Sequence, residues 1–397
     1  MQAAAPNPPS RLASIDAYRG FVMLLMAGEV LNFGRVSQNL PNSGFWEFLE
    51  NQQSHVQWRG CTLHDLIQPS FSFLVGAALP WSIASRGAKG EPFAKMLIHT
   101  LWRAFVLIAM GVLLRSTGSP QTNYTFEDTL SQIGLGYVFL WLLAWTKVRT
   151  QILALIAILL GYWVLFALWP LPGPGFDPTT VGVEKDWPSW MSGFAAHWNK
   201  NTNPAFAFDH WFLNLFPRPK EWLFNGGGYS TLSFIPTLGT MILGLLAGEW
   251  IRRADVAETV KVRQFLLVGL AGLAAGWLLD VTHICPSVKR IWTPSWVLFS
   301  GGWASLLLGM FYGLTDVAKY RRWAFPLLVV GTNSIFMYCA AHLWEGFLKR
   351  NLKTHLGQQI WESLGGPYSP LLEGIAVLGI LWLCCLYLWK HKMFIRV

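Results

Sequence analysis

Between Ser54 and Gln68 the chain reads SHVQWRGCTLHDLIQ, which sets His55, Trp58, Arg59, His64 and Asp65 directly before an apolar run of membrane-helix length. A histidine at a membrane surface, beside an acid at the start of a helix, costs desolvation energy unless it is satisfied or used. Imidazole is suited to removing a proton near neutral pH. It also serves as a covalent acyl carrier, and the residues do not separate these two routes. His55 is the catalytic candidate; the plain alternative is an interfacial histidine bonded to loop backbone. Asp65 opens the apolar run, where an acid favours the positive end of a helix. It either caps that helix or orients His55 or His64 and stabilises an imidazolium. His64 is the alternative base.

Four other places carry polar groups that apolar surroundings must account for. Asp16 and Arg19 stand three apart, which suits a local ion pair; the functional alternative is Arg19 on a phosphate, which its planar fork recognises. Lys289 and Trp292 precede an apolar run, as interfacial anchors or as lining of a ligand site. Asn333 lies at the start of an apolar stretch, where a buried amide needs partners, either on a neighbouring helix or on a ligand. Glu29, deep in the first apolar run, is expected to face the protein interior, as a proton acceptor or as a hydrogen-bonded core acid. The five cysteines form no CxxC and show no metal-site spacing, so no metal is expected. Cys61 and Cys285 fall outside apolar runs, and their pairing is open. No Walker or Rossmann loop is present.

The elements that must position these groups are membrane helices. Hydrophobic residues make up 53% of the chain and charged residues 13%, against about 25% charged in ordinary soluble proteins. The 23 tryptophans suit aromatic belts at two interfaces. Apolar runs near 17–34, 65–84, 97–114, 131–146, 150–170, 230–251, 264–281, 294–315, 324–344 and 371–389 approach the length a span needs. They predict one all-α, polytopic integral-membrane bundle of about ten helices over 1–397. Most of the 30 Lys and Arg, from Arg11 to Arg396, then fall on one side in short loops. The positive-inside rule makes that side, with both termini, cytoplasmic. His55 is placed outside, as are long loops at 35–64 and 171–229. The first twelve residues have no apolar core, so the first run is expected to be retained rather than cleaved. The net charge of +9 reads as a topology signal and not as nucleic-acid binding.

Several motifs in order along the chain carry a resemblance. SIDAYRG (Ser14 to Gly20), HVQWRGCTLHDLIQPSFSFLVG (His55 to Gly76), QIGLGY (Gln132 to Tyr137), GGGYSTLSFIPTLGTMILGLLAGEW (Gly226 to Trp250), PSVKRIWTPSWVL (Pro286 to Leu298) and GTNSIFMY (Gly331 to Tyr338) stand in that sequence. Together, from about 11 to 390, they resemble the heparan-α-glucosaminide N-acetyltransferase family and its bacterial relatives. The resemblance implies an integral-membrane acyltransferase that takes acetyl from cytoplasmic acetyl-CoA to a glucosamine amine on the far side. The family's catalytic histidine motif falls on His55, Trp58 and Gly60, and its acid on Asp65. Its Asp-x-x-Arg-Gly falls on Asp16, Arg19 and Gly20.

The resemblance therefore implies His55 and Asp65 as catalytic; the functional readings of the remaining residues make Arg19 and Asn333 donor contacts, and Trp58, Lys289 and Trp292 acceptor contacts. The partners it implies are acetyl-CoA, an amino sugar or glycan and membrane lipid, without nucleic acid; a homodimer stays open. A bacterial inner membrane, with His55 periplasmic, is the expected location. The chain departs from the pattern at Ser131 and Gln132, where relatives have Gln-Arg. It departs again at Phe224 to Gly228, where they have an acidic segment, and at Val288, where they have asparagine. These positions cluster around implied acceptor contacts, so the acceptor and N- versus O-transfer stay open. A transporter or a glycan or lipid exporter is the other class. Few midplane charges and no visible internal repeat speak against it, and a membrane scaffold would leave the His–Trp–Asp stretch unexplained.

Overall fold

A computed structural model describes residues 12–357 and 359–395; Arg11 and Arg396 lie outside the described residues. Secondary structure among the described residues is helical, with no strand; Arg59 and Val288 form one isolated bridge. In chain order the helices are α1 (Ala13–Ala27), α2 (Phe33–Asn39), α3 (Gly44–Gln53), α4 (Ile67–Gly87), α5 (Phe93–Ser116), α6 (Thr129–Leu143), α7 (Val148–Ala167) and α8 (Pro204–Phe212). They continue as α9 (Phe234–Arg252), α10 (Glu258–Val281), α11 (Pro294–Tyr312), α12 (Phe325–Gly331), α13 (Ser334–Leu356), α14 (Ile360–Gly365) and α15 (Ser369–Lys390).

Every apolar run read from the sequence is α-helical over most of its length; the first outlasts α1, and the run 324–344 is broken between α12 and α13. Eight helical stretches have the length and apolarity to cross a membrane. A ninth joins them if Arg322–Gly331 and Ser334–Leu356, bent by 68°, form one span. The apolar α6 has 15 residues, roughly 22 Å at 1.5 Å per residue, short of a core about 30 Å thick. The protein is an integral membrane protein of the all-helical class.

Two segments read as loops hold structure. Residues 35–64 contain most of α2 and all of α3, which turn back on each other through Leu40–Ser43, with Asn42 left-handed at φ 68°. Trp46 fastens the pair, its ring 6.0 Å from Phe33 and 5.8 Å from Tyr368. Residues 171–229 hold short 3-10 turns and α8, whose Asn203 caps the amides of Ala205 and Phe206. Trp198 of this segment is fully buried rather than interfacial.

The described residues form two compact units. One comprises 57–60 and 68–310, with α9 packed on α6 and α7, and α5 on α6. The other comprises 12–56, 61–67 and 311–395, with α1 packed on α12 and α13, and α15 on α12, α13 and the turn that follows α1.

The two motif glycines of the second unit have a packing reason. A Cβ on Gly331 would lie 1.8 Å from the carbonyl oxygen of Asp16, and one on Gly20 would lie 1.8 Å from that of Leu327. The backbones of α1 and α12 meet there, a small-residue crossing of the kind that brings membrane helices together. Gly331→Ala should force them apart at about 1–3 kcal/mol or more. The unfolding midpoint in detergent should fall; an unchanged midpoint would mean that the two helices do not meet at this point.

Candidate active site

The second unit builds a site at the end of α1, from the sequence upward. Thr62 stands three residues before Asp65, just ahead of a short 3-10 turn, His64–Leu66, that leads into α4. Asp65 Oδ2 accepts from the backbone N–H of Thr62 (3.1 Å) and from the N–H of Val56 (3.3 Å), and it lies 3.0 Å from Thr62 Oγ1. Thr62 Oγ1 donates to the carbonyl of Ser54 at 2.6 Å. The end of α3 ties the loop down: Gln52 Oε1 accepts from Leu63 N–H (3.0 Å). Gln53 accepts from Phe33 N–H and donates to the carbonyl of Gly28 (3.0 and 2.7 Å).

Asp65 is 1% exposed, and its other oxygen, Oδ1, meets His55 Nδ1 at 2.8 Å. A carboxylate there can only accept, so Nδ1 carries the proton and Nε2 is the basic nitrogen. One acid thus holds the loop before the helix through the amides of Thr62 and Val56 and, through its other oxygen, sets the tautomer of His55. The His55 side chain is 38% exposed.

A second imidazole–carboxylate pair stands beside the first. His64 Nε2 meets Glu29 Oε1 at 2.7 Å, and the rings of His55 and His64 lie 4.5 Å apart between centroids. Glu29 departs from its expected interior place. The α-helix ends at Ala27, and Glu29 sits on the 3-10 turn Gly28–Leu31, with its side chain 57% exposed. Asn32 then takes a left-handed φ of 50°, which turns the chain out of α1.

Arg19 and Asn333 lie toward the other end of α1. Arg19 Nη1 contacts Asp16 Oδ1 at 3.4 Å, the local pair that the spacing suggested. Ten residues separate Arg19 from Glu29, roughly 15 Å along a helix axis. Asn333 follows Gly331, which packs against Asp16, and it sits at the break between α12 and α13. Its side chain is fully buried: Oδ1 accepts from Ile395 N–H at 3.0 Å, while Nδ2 has no acceptor among the described residues. That orphaned donor is the kind of group a ligand carbonyl satisfies.

Trp58, Lys289 and Trp292 belong to the first unit. The bridge from Arg59 to Val288, with Gly60 N–H donating to Ser287 O at 3.3 Å, brings the two distant motifs side by side. Trp58 is fully buried, donates to the carbonyl of Trp198 at 3.0 Å and packs with Phe166, Val288 and Ile291. Trp292 is also buried; it holds φ 50° and donates to Thr240 Oγ1 at 3.0 Å. Lys289 is 5% exposed. Beside this core, Arg59 Nε donates to Asp280 Oδ1 at 3.1 Å along a cavity of about 650 Å³, which Trp190, Ser192 and His283 also line.

Comparison with known proteins gives the same relatives as the motifs. The chain is 24% identical to Heparan-alpha-glucosaminide N-acetyltransferase of Homo sapiens over 397 aligned positions, which cover 89% of this chain and 57% of the human protein. It is 22% identical to the protein of that name from Mus musculus over 425 positions, covering 98% of this chain and 61% of the mouse protein. The chain is related to these proteins at the level of a family. It spans less than two thirds of the length of each. No family model matches it.

Two features carried no local signal in the sequence. The Glu29–His64 pair joins positions far apart in the chain, without a spacing to betray it. Asp209 of α8 is 2% exposed and accepts from Thr231 N–H at 2.9 Å; burial pushes its carboxyl up to about 7. Cys61 and Cys285 do not pair with each other, and burial pushes the Cys285 thiol up to about 11.

Proposed function

We infer that the chain, taken over 1–397 as one acyltransferase domain, is a membrane-embedded acetyltransferase. It takes acetyl from cytoplasmic acetyl-CoA and delivers it to an amino sugar or glycan on the outer side, in a bacterial inner membrane. The observation that carries this reading is the His55–Asp65 pair. A buried carboxylate that fixes Nδ1 leaves the basic Nε2 on a ring more than one third exposed, as a base or an acyl carrier requires. The relatives' names and the shared motifs supply the reaction class.

In this reading Arg19 contacts a CoA phosphate and Asn333 Nδ2 donates to a carbonyl of the donor. The roughly 15 Å between Arg19 and the turn after α1 exceeds the reach of any side chain, so the extended thioester arm must cover it. Trp58, Lys289 and Trp292 shape the acceptor side; buried as they are, Trp58 and Trp292 act by holding backbone in place.

Sealed vesicles of known orientation test activity and sidedness together. Vesicles loaded with labelled acetyl-CoA on the cytoplasmic face, with glucosamine outside, should yield labelled N-acetylglucosamine outside. Product only where donor and acceptor share a compartment would overturn the transmembrane direction. No product with glucosamine, glucosamine-ended oligosaccharides or other glycans in either arrangement would overturn the acetyltransferase.

A further inference from the structure

We propose that the two imidazoles divide the reaction between them: His55 takes the acetyl group, and His64, backed by Glu29, takes the proton that the acceptor gives up. This deepens the acetyltransferase reading and rests on it. Nothing in the motif pattern asks for a histidine at 64 or an acid at 29; the assignment comes from their placement. Each imidazole has its own carboxylate, at 2.8 and 2.7 Å, and the two rings are in contact at 4.5 Å with planes inclined by 53°.

A fastening role accounts poorly for the second pair. Glu29 is more than half exposed, and ion pairs with an exposed partner contribute little to stability. Gln53 already ties the same turn down through the carbonyl of Gly28. His342 also acts electrostatically on Glu29, but its Nδ1 is bound to the carbonyl of Tyr338 in its own helix at 2.8 Å. His64 is 8% exposed, while its carboxylate partner reaches solvent. A proton accepted on the buried ring therefore has a way out.

The chemistry needs two bases once one imidazole carries the acyl group. In the first step Nε2 of neutral His55 attacks the thioester carbonyl carbon. The N–C bond forms, the C–S bond breaks, and the electron pair leaves with the CoA thiolate. The acetyl-imidazolium that results keeps its Nδ1 proton on Asp65. His55 now has no lone pair to offer. In the second step the neutral amine or hydroxyl of the acceptor attacks the acetyl carbon, and its proton passes to His64, which becomes an imidazolium held by Glu29. The C–Nε2 bond breaks and neutral His55 returns. His64 then gives its proton to the thiolate or to solvent, and atoms and charge balance over the cycle.

The two half-reactions can be read separately in detergent-purified full-length protein. With labelled acetyl-CoA and no acceptor, wild type should release one thiol per active protein and retain the label. Glucosamine should then collect that label. His64→Gln should keep the first half-reaction and slow delivery to glucosamine by roughly 10²-fold, the contribution typical of one acid–base group. Glu29→Gln should slow delivery less and also keep the first step; His55→Ala should lose both. Retention of the first half-reaction shows the variants to be folded.

Delivery by His64→Gln at the wild-type rate would overturn the proposal. So would loss of labelling in His64→Gln and Glu29→Gln alike, or transfer by wild type that never passes through labelled protein. Wild type that neither labels nor transfers would remove the acetyltransferase reading itself, and the proposal with it.

Discussion

His55→Ala should slow acetyl transfer by at least roughly 10²-fold, because it removes the group that either takes the acetyl or takes the proton. Acetyl-CoA affinity and the yield of folded protein should stay close to wild type. Arg19, assigned to the donor, lies on α1 ten residues before Glu29, roughly 15 Å by helix rise, and Asn333 sits at the break between α12 and α13. Truncation of a side chain that is 38% exposed also opens no core cavity. Asp65 would lose one partner at Oδ1 and keep two backbone N–H donors at Oδ2. The measurement is single-turnover transfer beside a titration of acetyl-CoA binding. A variant that binds donor and transfers at the wild-type rate would remove His55 from the chemistry and move the base to His64. A variant that loses donor binding in the same proportion would show that His55 holds structure.

What the sequence made legible, and what it did not, follows from the range of each interaction. The ten-residue step from His55 to Asp65 is local, so residue types and spacing carried the pair. The apolar runs likewise reported their helices, because a span must be apolar along its length. Glu29 was misplaced for a related reason. The apolar run continues to 34, but the helix ends at Ala27, where Gly28 begins a tighter turn. Run length alone does not register that change of geometry. The break at Asn333 was hidden in the same way, although the polar trio Thr332, Asn333 and Ser334 inside an apolar run was its available signal.

Helices α2 and α3 were missed because neither carries a long apolar stripe. Their order comes from Trp46 packing at a tilt against Phe33 and against Tyr368, the latter more than 300 positions away. The burial of Trp58 and Trp292 was equally invisible. A tryptophan near an interface reads the same whether it lies in the lipid belt or inside a loop core, and the partners that decide it, Trp198 and Thr240, are distant in sequence.

Two substitutions at Asp65 should separate its two roles. Asp65→Ala removes the acceptor for the N–H groups of Thr62 and Val56 and for His55 Nδ1–H. Donors left unsatisfied in a site where the acid is 1% exposed cost about 1–3 kcal/mol each. The unfolding midpoint in detergent should fall markedly, and activity should fall with it. Asp65→Asn keeps the volume, and the two N–H donors at Oδ2 decide its orientation: the amide oxygen must face them, which turns the NH₂ toward His55. Nδ1 must then accept a hydrogen bond, so the ring proton moves to Nε2 and the basic lone pair is lost from the reacting side. The expected result is a midpoint near wild type with transfer reduced on the order of 10²–10⁴-fold. An Asp65→Asn protein that is stable and fully active would mean that Asp65 only holds the loop before α4 and that the tautomer of His55 does not matter. Loss of stability in both variants to the same degree would mean that the site tolerates no neutral group, and the role of the acid in catalysis would have to be read from the temperature-corrected rate of the folded fraction.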